Sequence, residues 1–440
     1  MKIAILGCGL RTPLLLSALL KTGKVPEEIA LFDLDPAHAS LMANLGRASM
    51  PYGPSLLRVS TTAEDAIDSA AFVICSIRPG GMAARARDER IALEMGYAGQ
   101  ETIGPAGSAM AWRTIPAVLD YVRIMERLAP QAWLVNFTNP AGLVTQAVRD
   151  VSTIRSVGIC DTPAELFLQI ARAFGTALEN VECEYFGLNH LGFVRKVLVH
   201  GVDRTQQLLN DDHLLNGLYP APLFPPELLR QMQLIPSEYG FFYFRSDLAR
   251  KNQLRVGQTR GEELLRMNAD LFKNLSAVIE TEGSLAGLRV YENYLNHRNS
   301  SYFQLEGGGT SAFGNEIPDW DPFDAITGYH RIAVQTIQGL CGASPASLVL
   351  NVSNKGTLSN FATDDVVELN CSIANGKIVR LPQDPVPPSV FSLLESTKAY
   401  ERTLVKASIE RDHSLLTWAL TQHPLIRDWD AAANLVRKLF

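Results

Sequence analysis

The sequence predicts an α/β protein in which an N-terminal Rossmann-type parallel sheet is followed by a mixed, mainly helical C-terminal domain. Two observations carry this prediction. Short apolar segments alternate with helical segments through the first third of the chain, which is the order that builds a parallel sheet. The first of these segments, residues 2–6, ends at a Gly-Cys-Gly turn before a leucine-rich stretch. Strand, glycine turn and helix in that order are typical of a dinucleotide site.

The other elements follow from the same alternation. In the first half we expect strands at residues 2–6, 29–32, 71–76 and 132–137 and helices at 14–20, 63–69 and 112–128. In the second half we expect hairpins within 185–199 and 366–378 and helices near 205–216, 226–234, 258–284 and 390–420. No low-complexity linker divides the chain. We therefore expect domains at residues 1–170 and 171–440, packed around one cleft.

The composition is that of a folded, mildly acidic protein. The chain has 440 residues, of which 47% are hydrophobic and 20% charged, and a net charge of −6. These values are ordinary for globular proteins and argue against a nucleic-acid partner. The six cysteines form no CxxC pair, which favours a reducing cytoplasm over a disulfide framework. No apolar run is long enough to span a bilayer, so no membrane partner is expected.

The turn at Gly7 and Gly9 is predicted to bind the pyrophosphate of a dinucleotide. Glycine lets the backbone approach the phosphates, and the helix start at Arg11 and Thr12 offers free N–H groups. The third glycine of the usual motif is absent. Asp33 follows the second strand, where a carboxylate binds the adenosine ribose and favours NAD over NADP. The alternative is that Asp33 belongs to a turn and helix cap.

Two further segments place polar side chains near this turn. The fourth strand ends in NFTNP, residues 136–140, at the sheet edge where open α/β proteins bind ligands. Residues 77–107, between the third and fourth strands, carry four arginines and a glycine-rich exit at 104–107. We expect this segment to face the substrate and to turn tightly at that exit. The alternative is a helix with a solvated charged face.

Cys160 and His190 stand in similar surroundings, within GICDTP (158–163) and GLNH (187–190). They are either two ligands of one metal or a buried free cysteine and an unrelated core histidine. A thiolate and an imidazole would accept zinc, iron or cobalt. The spacing alone does not choose among these metals.

With these segments in place, the chain resembles glycoside hydrolase family 4, the NAD- and metal-dependent glycosidases, and most closely its 6-phospho-β-glucosidase branch. The matching segments follow the family's order over nearly the whole chain. They are ILGCGLRTP (5–13), IRPGG, RARDERIAL and GQETIGPAG (within 77–107), NFTNPAG (136–142), GICDTP (158–163), GLNHLGF (187–193), IPSEYGFFYF (235–244), TRGEELL (259–265), VVELN (366–370) and ALTQHPL (419–425).

The resemblance implies NAD and Mn²⁺ as cofactors and an oxidation-linked route of glycoside cleavage. In this family NAD oxidises the sugar at C3, and a tyrosinate removes the C2 proton. The aglycone then leaves C1, water adds, and the C3 ketone is reduced again. Cys160 and His190 match the family's two protein ligands for Mn²⁺, which stabilises the negative charge at C2 as a Lewis acid.

The resemblance also implies the residues that carry the reaction. Tyr239 matches the C2 base, with Tyr243 as the second candidate. Asp161 is the candidate general acid at the departing oxygen, or else the N-cap of the next helix. Six further residues are expected at the site: Arg78 and Asn136 for the cofactor, and Arg87, Asn139, Asn189 and Arg260 for the substrate.

The chain departs from the resemblance at one segment. The 6-phospho enzymes carry an RGGAxYS-like stretch where this chain reads AITGYHRIAVQTI (325–337). Phosphate, another anionic group at C6 and an unphosphorylated hexoside are therefore all open as substrates. Both α and β linkages are open as well, since elimination through a C2 anion tolerates either. The family forms dimers or tetramers, so a homodimer or homotetramer is expected.

Two other functions share parts of this pattern. An NAD-dependent 2-hydroxy-acid dehydrogenase of the lactate/malate type has the same N-terminal fold, but its chemistry has no use for Cys160. A catalytically inactive NAD-sensing regulator would not need Cys160, His190 and Tyr239 together. The sequence therefore favours a glycoside hydrolase that acts on a small sugar and depends on NAD and a divalent metal.

Overall fold

The computed structural model describes residues 1–21, 26–49, 56–309 and 321–440. Its strands are β1 (Lys2–Leu6), β2 (Glu28–Phe32), β3 (Leu56–Val59), β4 (Phe72–Cys75), β5 (Trp133–Asn136), β6 (Arg155–Gly158), β7 (Val181–Leu188), β8 (Leu191–Val199), β9 (Val202–Asp203), β10 (Ile235–Pro236), β11 (Ala346–Ser353), β12 (Val366–Ala374) and β13 (Lys377–Arg380). Together they form one continuous mixed sheet.

The helices cover both faces of this sheet and the remaining end of the molecule. They are α1 (Thr12–Leu20), α2 (Pro36–Ser49), α3 (Ala63–Ile67), α4 (Gly81–Glu94), α5 (Gly104–Leu128), α6 (Ala141–Val151), α7 (Thr162–Ala173), α8 (Thr205–Asn210), α9 (Asp212–Asn216), α10 (Pro226–Met232), α11 (Phe241–Phe244), α12 (Ser246–Val256), α13 (Arg260–Glu282), α14 (Ser284–Ser300), α15 (Tyr329–Leu340), α16 (Pro388–Glu410), α17 (His413–Gln422) and α18 (Trp429–Leu439). Among the helices of the described residues, none has the length and apolar character needed to cross a bilayer.

The N-terminal half confirms the predicted Rossmann-type sheet. Its strands run parallel in the order β6-β5-β4-β1-β2-β3. The four expected strands are present, and β3 and β6 are added to them. Each added strand has four residues and carries an arginine that interrupts its apolar pattern. β2, the strand that follows β1, and β5, the strand that follows β4, lie on opposite sides of the β1–β4 pair. Doubly wound sheets bind ligands at the carboxyl ends of the strands at such a switch point.

The expected tight turn at residues 104–107 is wrong, because α5 begins there. Gly104 has a φ of +64°, and Pro105 follows within the first turn of the helix. Proline is favoured at that position because its missing N–H has no helical partner to lose. A Cβ on Gly107 would lie 2.3 Å from the backbone carbon of Thr102. The glycines thus let the helix start pack closely against the preceding segment.

The C-terminal half extends the same sheet with antiparallel strands. β11 pairs with β6, and β12, β7, β8 and β10 follow outward from it. The expected hairpin within 366–378 is present, with its turn at Asn375 and Gly376, but its first strand, β12, runs unbroken to Ala374 and its second, β13, ends at Arg380. Helices α16 to α18 pack back over the N-terminal half. The sheet edge that carries Cys160 is therefore joined directly to the strands of the second half.

Candidate active site

A cavity of about 1290 Å³ lies at the carboxyl edge of the parallel strands. Its walls come from the turns after β1, β2, β4, β5 and β6 and from the second half of the chain. The predicted site residues that line it are Gly7, Gly9, Arg11, Asp33, Arg78, Asn139, Asp161, Tyr239 and Arg260. The fold therefore brings the predicted dinucleotide turn, acid, base and polar side chains to one space.

The glycine turn after β1 forms one end of the cavity. Gly7 has a φ of +84°, and a Cβ there would lie 2.4 Å from the carbonyl oxygen of Ser76. Only glycine fits this close contact between the ends of β1 and β4. A Cβ on Gly9 would meet open space. Asp33 accepts hydrogen bonds from the backbone N–H of Cys8 (2.7 Å) and of Asp35 (3.0 Å). The carboxylate thus links the two turns while it lines the cavity, and the turn role predicted as its alternative is also present.

Cys160 and His190 meet behind the cavity wall. The Cys160 Sγ lies 3.6 Å from the His190 Nε2, and the two residues are 1% and 3% exposed. Burial lowers the pKa of His190 to about 4, so the imidazole is neutral near pH 7. Burial also raises the pKa of the Cys160 thiol, and nearby carboxylates raise it further. The sulfur and the ring nitrogen therefore face each other without a permanent charge on either.

The tautomer of His190 is fixed by the segment before α5. The Gln100 side-chain oxygen accepts bonds from the backbone N–H groups of Thr102 (2.6 Å) and Ile103 (2.9 Å) and from the Thr102 hydroxyl (2.8 Å). The Thr102 hydroxyl oxygen lies 2.6 Å from the His190 Nδ1. Because that hydroxyl donates to Gln100, it must accept from Nδ1–H. The lone pair of Nε2 then points to the side of Cys160, as a metal ligand requires.

Tyr239 stacks on this histidine. The two ring centroids are 3.9 Å apart and the planes differ by 12°. Burial raises the pKa of Tyr239 well above its ordinary value of 10, and the charges of Glu238 and Glu101 add to this. The second candidate base, Tyr243, instead stacks on His423 at 6.3 Å and lies outside the cavity lining. Of the two tyrosines, the structure brings Tyr239 to the cavity.

Asp161 is the N-cap residue of α7, but its side chain makes no capping hydrogen bond. Its Oδ2 lies 3.4 Å from Nη1 of Arg11, whose guanidinium sits 4.6 Å above the ring of Tyr329. Burial raises the pKa of the Asp161 carboxyl, while Arg11 opposes this rise. The capping role predicted as the alternative is therefore not the one its side chain plays here.

Most arginines at the cavity already have a carboxylate partner. The pairs are Arg78 with Glu101, Arg85 with Glu89 and Glu101, Arg260 with Glu263, and Arg11 with Asp161. Arg298 of α14 differs, because its side chain among the described residues bonds only the Tyr294 hydroxyl, at 3.5 Å. Burial lowers the pKa of Arg298, and the charges of Arg11 and Arg260 lower it further. This wall of the cavity therefore favours an anion.

Two residues predicted to bind the cofactor are placed elsewhere. Asn136 is fully buried behind the cavity wall, where its side chain donates to the Thr138 carbonyl (3.2 Å) and accepts from the Thr138 N–H (3.1 Å). Thr12, the first residue of α1, is predicted to offer its backbone N–H, but that N–H donates to the Gly9 carbonyl at 2.9 Å, and the residue is not part of the lining. Asn136 shapes the turn after β5, and neither side chain is available to a ligand in the cavity.

Two residues predicted to bind the substrate also lie outside the cavity lining. Arg87 has a 56% exposed side chain, which pairs with Asp88 at 3.0 Å. Arg85 and Arg87 are two residues apart on α4, so their side chains lie on different faces of the helix. Arg85 lines the cavity and Arg87 does not. Asn189 lies outside the lining and donates to Glu368 at 3.1 Å. Its role is to hold the turn next to His190.

The structure adds residues that the sequence reasoning missed. Gln100 and Thr102 lie within GQETIGPAG, a segment already noted, but the contact of Thr102 with His190 depends on the tertiary fold. Arg298 stands in no recognised motif. Glu238 accepts from the Thr162 hydroxyl (3.3 Å) and the Tyr302 hydroxyl (3.2 Å), and burial raises its pKa to about 8.

Proteins similar in sequence over nearly the whole chain include two glycosidases. The chain is 28% identical to the 6-phospho-beta-glucosidase BglT of Thermotoga maritima, over 100% of this chain and 97% of that protein. It is 25% identical to the phospho-alpha-glucosidase PagL of Clostridium acetobutylicum, over 94% and 90% of the two chains.

Solved structures agree with this. The 6-phospho-beta glucosidase of Thermotoga maritima, solved with manganese, NAD⁺ and glucose-6-phosphate, superposes with a TM-score of 0.81 at 27% identity, over 100% of this chain and 97% of that one. Malate dehydrogenase of Salinibacter ruber has a TM-score of 0.54 at 11% identity, over 93% and 98% of the chains. The second likeness concerns the fold alone, and it confirms the predicted malate dehydrogenase-like architecture.

Family models cover almost the whole chain. Residues 2–175 match the family 4 glycosyl hydrolase model, and residues 185–426 match the model of the family 4 C-terminal domain. The two matches are consecutive and in the family's order. The chain therefore belongs to family 4 of the glycosyl hydrolases.

Proposed function

We propose that this enzyme is a 6-phospho-β-glucosidase that depends on NAD and a divalent metal ion, with Mn²⁺ as the expected ion. The observation that carries the proposal is that the Cys160–His190 pair lies behind the wall of the cavity that the dinucleotide turn and Tyr239 line, with the His190 ring stacked on Tyr239. A dinucleotide turn alone is common, and so is a buried cysteine beside a histidine. Their juxtaposition supports chemistry in which a sugar is oxidised and deprotonated at neighbouring carbons.

The residues at one end of the cavity fit NAD. Gly7 and Gly9 leave the turn after β1 without a side chain that would block a pyrophosphate. Asp33 has carboxylate lone pairs left for ribose hydroxyls, and the cavity-lining Arg11 and Arg78 supply positive charge. An acidic residue at the ribose position favours NAD over NADP.

Cys160 and His190 fit a divalent cation. The Nε2 lone pair and the sulfur converge, and the imidazole is already neutral, which is the form that binds metals. The described residues contain no cluster of three or more His, Cys, Asp and Glu side chains of metal-binding geometry. Two protein ligands leave coordination positions for oxygens of the sugar and for water, as a catalytic site needs.

Bound NAD would supply a hydride acceptor and donor for the sugar C3, and a cation held by Cys160 and His190 would supply Lewis-acid stabilisation of negative charge at C2. The chain's own residues move the protons. We assign to Tyr239 the removal of the C2 proton, because its ring lies against His190. We assign to Asp161 the protonation of the glycosidic oxygen as the C1–O bond breaks, because burial keeps its carboxyl protonated to higher pH. Addition of water at C1 returns a proton to C2, and return of the hydride to C3 would leave no net oxidation or reduction over a turnover.

Two other residues of the cavity lining, Asn139 and Arg298, fit the substrate. The Asn139 Oδ1 is buried at the cavity without a hydrogen-bond partner among the described residues, and a sugar hydroxyl would satisfy it. Arg298 supplies a cation for an anionic group at C6. The β linkage rests on similarity to the Thermotoga maritima enzyme. The homodimer or homotetramer implied by the family stays a prediction.

The proposal is tested by hydrolysis of p-nitrophenyl 6-phospho-β-D-glucoside. We expect cleavage only when both NAD⁺ and a divalent metal are present, and slower turnover when the substrate carries deuterium at C2. Cleavage that persists after complete removal of NAD would refute the mechanism. Cleavage of the α anomer alone, or of the unphosphorylated glycoside alone, would refute only the substrate assignment.

Replacing Arg298 by methionine should weaken binding of the phosphorylated substrate. A hydrogen bond to a charged group contributes about 1.5–3 kcal/mol, so we expect KM to rise by about 10- to 100-fold. The control is Arg87→Met, whose side chain is exposed and should leave KM unchanged. Steady-state kinetics of both variants decide the point, and an unchanged KM in Arg298→Met would exclude this arginine from the anion site.

Replacing Thr102 by valine should weaken metal binding. Valine cannot accept the Nδ1–H of His190, so the imidazole loses its fixed tautomer. Loss of such a partner typically costs 10- to 100-fold in metal affinity. Thr114→Val is a matched control, because the Thr114 hydroxyl is buried and without a partner among the described residues. Titration with Mn²⁺ should show weaker binding in Thr102→Val only.

A further inference from the structure

Glu368 occupies a position between the two candidate metal ligands. It lies in β12 and is 1% exposed. Across the sheet it is in register with Asn351 of β11, which is in turn in register with Gly158 of β6. Gly158 stands two residues before Cys160. On its other side Glu368 is in register with β7, the strand that leads to His190.

The carboxylate of Glu368 accepts three side-chain hydrogen bonds. Its Oε1 accepts from the amide groups of Asn189 (3.1 Å) and Asn351 (2.9 Å), and its Oε2 accepts from the Tyr185 hydroxyl (2.9 Å). A buried carboxylate needs such donors to offset the loss of water. Here the donors come from three different strands or turns, so the carboxylate ties them together.

One of these donors belongs to the turn that carries His190. Asn189 and His190 are the two residues between β7 and β8. His190 has a φ of +62°, a left-handed conformation that non-glycine residues rarely adopt and that needs support from its surroundings. The Asn189 side chain also accepts from the backbone N–H of Gly142 at 3.4 Å. Asn189 is therefore held on both sides.

The neighbouring strand leaves room for this arrangement. A Cβ on Gly192 would lie 1.9 Å from the Tyr185 hydroxyl oxygen, so only glycine lets that hydroxyl reach Glu368. A Cβ on Gly158 would lie 2.9 Å from the Cβ of Asn351.

We propose that Glu368 is a positioning residue for the metal pair: by fixing Asn189 it holds the turn that directs the His190 Nε2 toward the Cys160 Sγ. The inference rests on the proposed function, because it takes this pair to be the ligand set for a divalent cation. Glu368 does not touch the cation or the sugar in this account. Its hydrogen bonds, more than its charge, are what the pair requires.

The test is Mn²⁺ binding, measured from the electron paramagnetic resonance signal of the free ion in titrations of the full chain. Glu368→Met keeps the volume but removes every acceptor, and we expect about 10- to 100-fold weaker binding. Glu368→Gln keeps an oxygen for the two asparagines, and we expect affinity close to that of the wild type. Tyr185→Phe removes one bond to the same carboxylate without touching the turn, and it should bind Mn²⁺ like the wild type.

Each outcome decides the role of Glu368. Wild-type affinity in folded Glu368→Met would overturn it, and so would a loss in Glu368→Gln as large as in Glu368→Met, which would indicate charge alone. If thermal unfolding shows that Glu368→Met does not fold, Asn189→Ala gives the answer: weaker binding supports the role and wild-type binding refutes it. Cys160→Ser separates the two proposals. Undiminished binding there refutes the metal pair itself, whereas loss there with retention in Glu368→Met refutes only the inference.

Discussion

Tyr239→Phe is expected to lower kcat by about 10²- to 10⁴-fold, which is the contribution that a positioned general base usually makes. Phenylalanine keeps the ring that stacks on His190, so cofactor and metal binding should change little. What is lost is the phenolic oxygen that takes the C2 proton. Because burial raises the pKa of this tyrosine, the account requires a nearby cation to bring the phenolate within reach near neutral pH.

The matched control for this variant is Tyr243→Phe. Tyr243 is four residues further along the chain, is partly buried, and stacks on His423 away from the cavity. Removing its hydroxyl should leave kcat almost unchanged. Equal losses in the two variants, or a Tyr239→Phe enzyme with wild-type kcat, would show that Tyr239 is not the base.

Cys160→Ser is expected to remove both metal binding and turnover. A serine hydroxyl is a poor ligand beside an imidazole, and Lewis-acid stabilisation is worth several kcal/mol, so kcat should fall about 10³-fold or more. Binding of NAD should persist, since the glycine turn and Asp33 are untouched. Mn²⁺ titration and NAD binding, measured on the same sample, distinguish this local loss from unfolding.

Cys183→Ser is the control for the cysteine variant. Cys183 is a second buried cysteine, in β7, and it lies in the hydrophobic core away from the cavity lining. In the same Mn²⁺ titration, its replacement by serine should leave metal affinity unchanged. Metal affinity that survives in Cys160→Ser would contradict the assignment of the ligand pair.

The parallel half of the fold could be predicted because each of its signals is local. An apolar segment, a glycine turn and a leucine-rich helix follow one another within 20 residues at β1 and α1. The insertion of β11 beside β6 had no such signal, because its partner Gly158 is nearly 200 residues away in the chain. Long-range antiparallel pairing of this kind leaves no periodicity that a single sequence shows.

The candidate site could also be predicted where its sequence signals are local. Residues within three positions of a strand's carboxyl end, such as Asp33, Asn139 and Asp161, reach the cavity because strand ends meet at one edge of the sheet. The sequence could not choose between Arg85 and Arg87, because that choice depends on the rotation of α4 about its axis. Short segments of sequence do not fix that rotation when charged residues occupy several faces.

Other parts of the site depend on contacts between distant segments. The hydrogen bond between His190 and Thr102 joins residues 88 positions apart, and the bond between Asn189 and Glu368 joins residues 179 positions apart. Neither pairing has a spacing that sequence reasoning can use. Supporting residues of this kind become visible only when the fold is known.

Hydrolysis in D₂O distinguishes loss of the C2 hydrogen as a proton from direct displacement at C1. If the C2 hydrogen leaves as a proton while the C3 hydrogen is transferred and returned, nuclear magnetic resonance of the glucose 6-phosphate product will show solvent deuterium at C2 and retained protium at C3. A product that carries protium at both carbons would exclude the elimination route, because direct displacement at C1 never opens the C2–H bond.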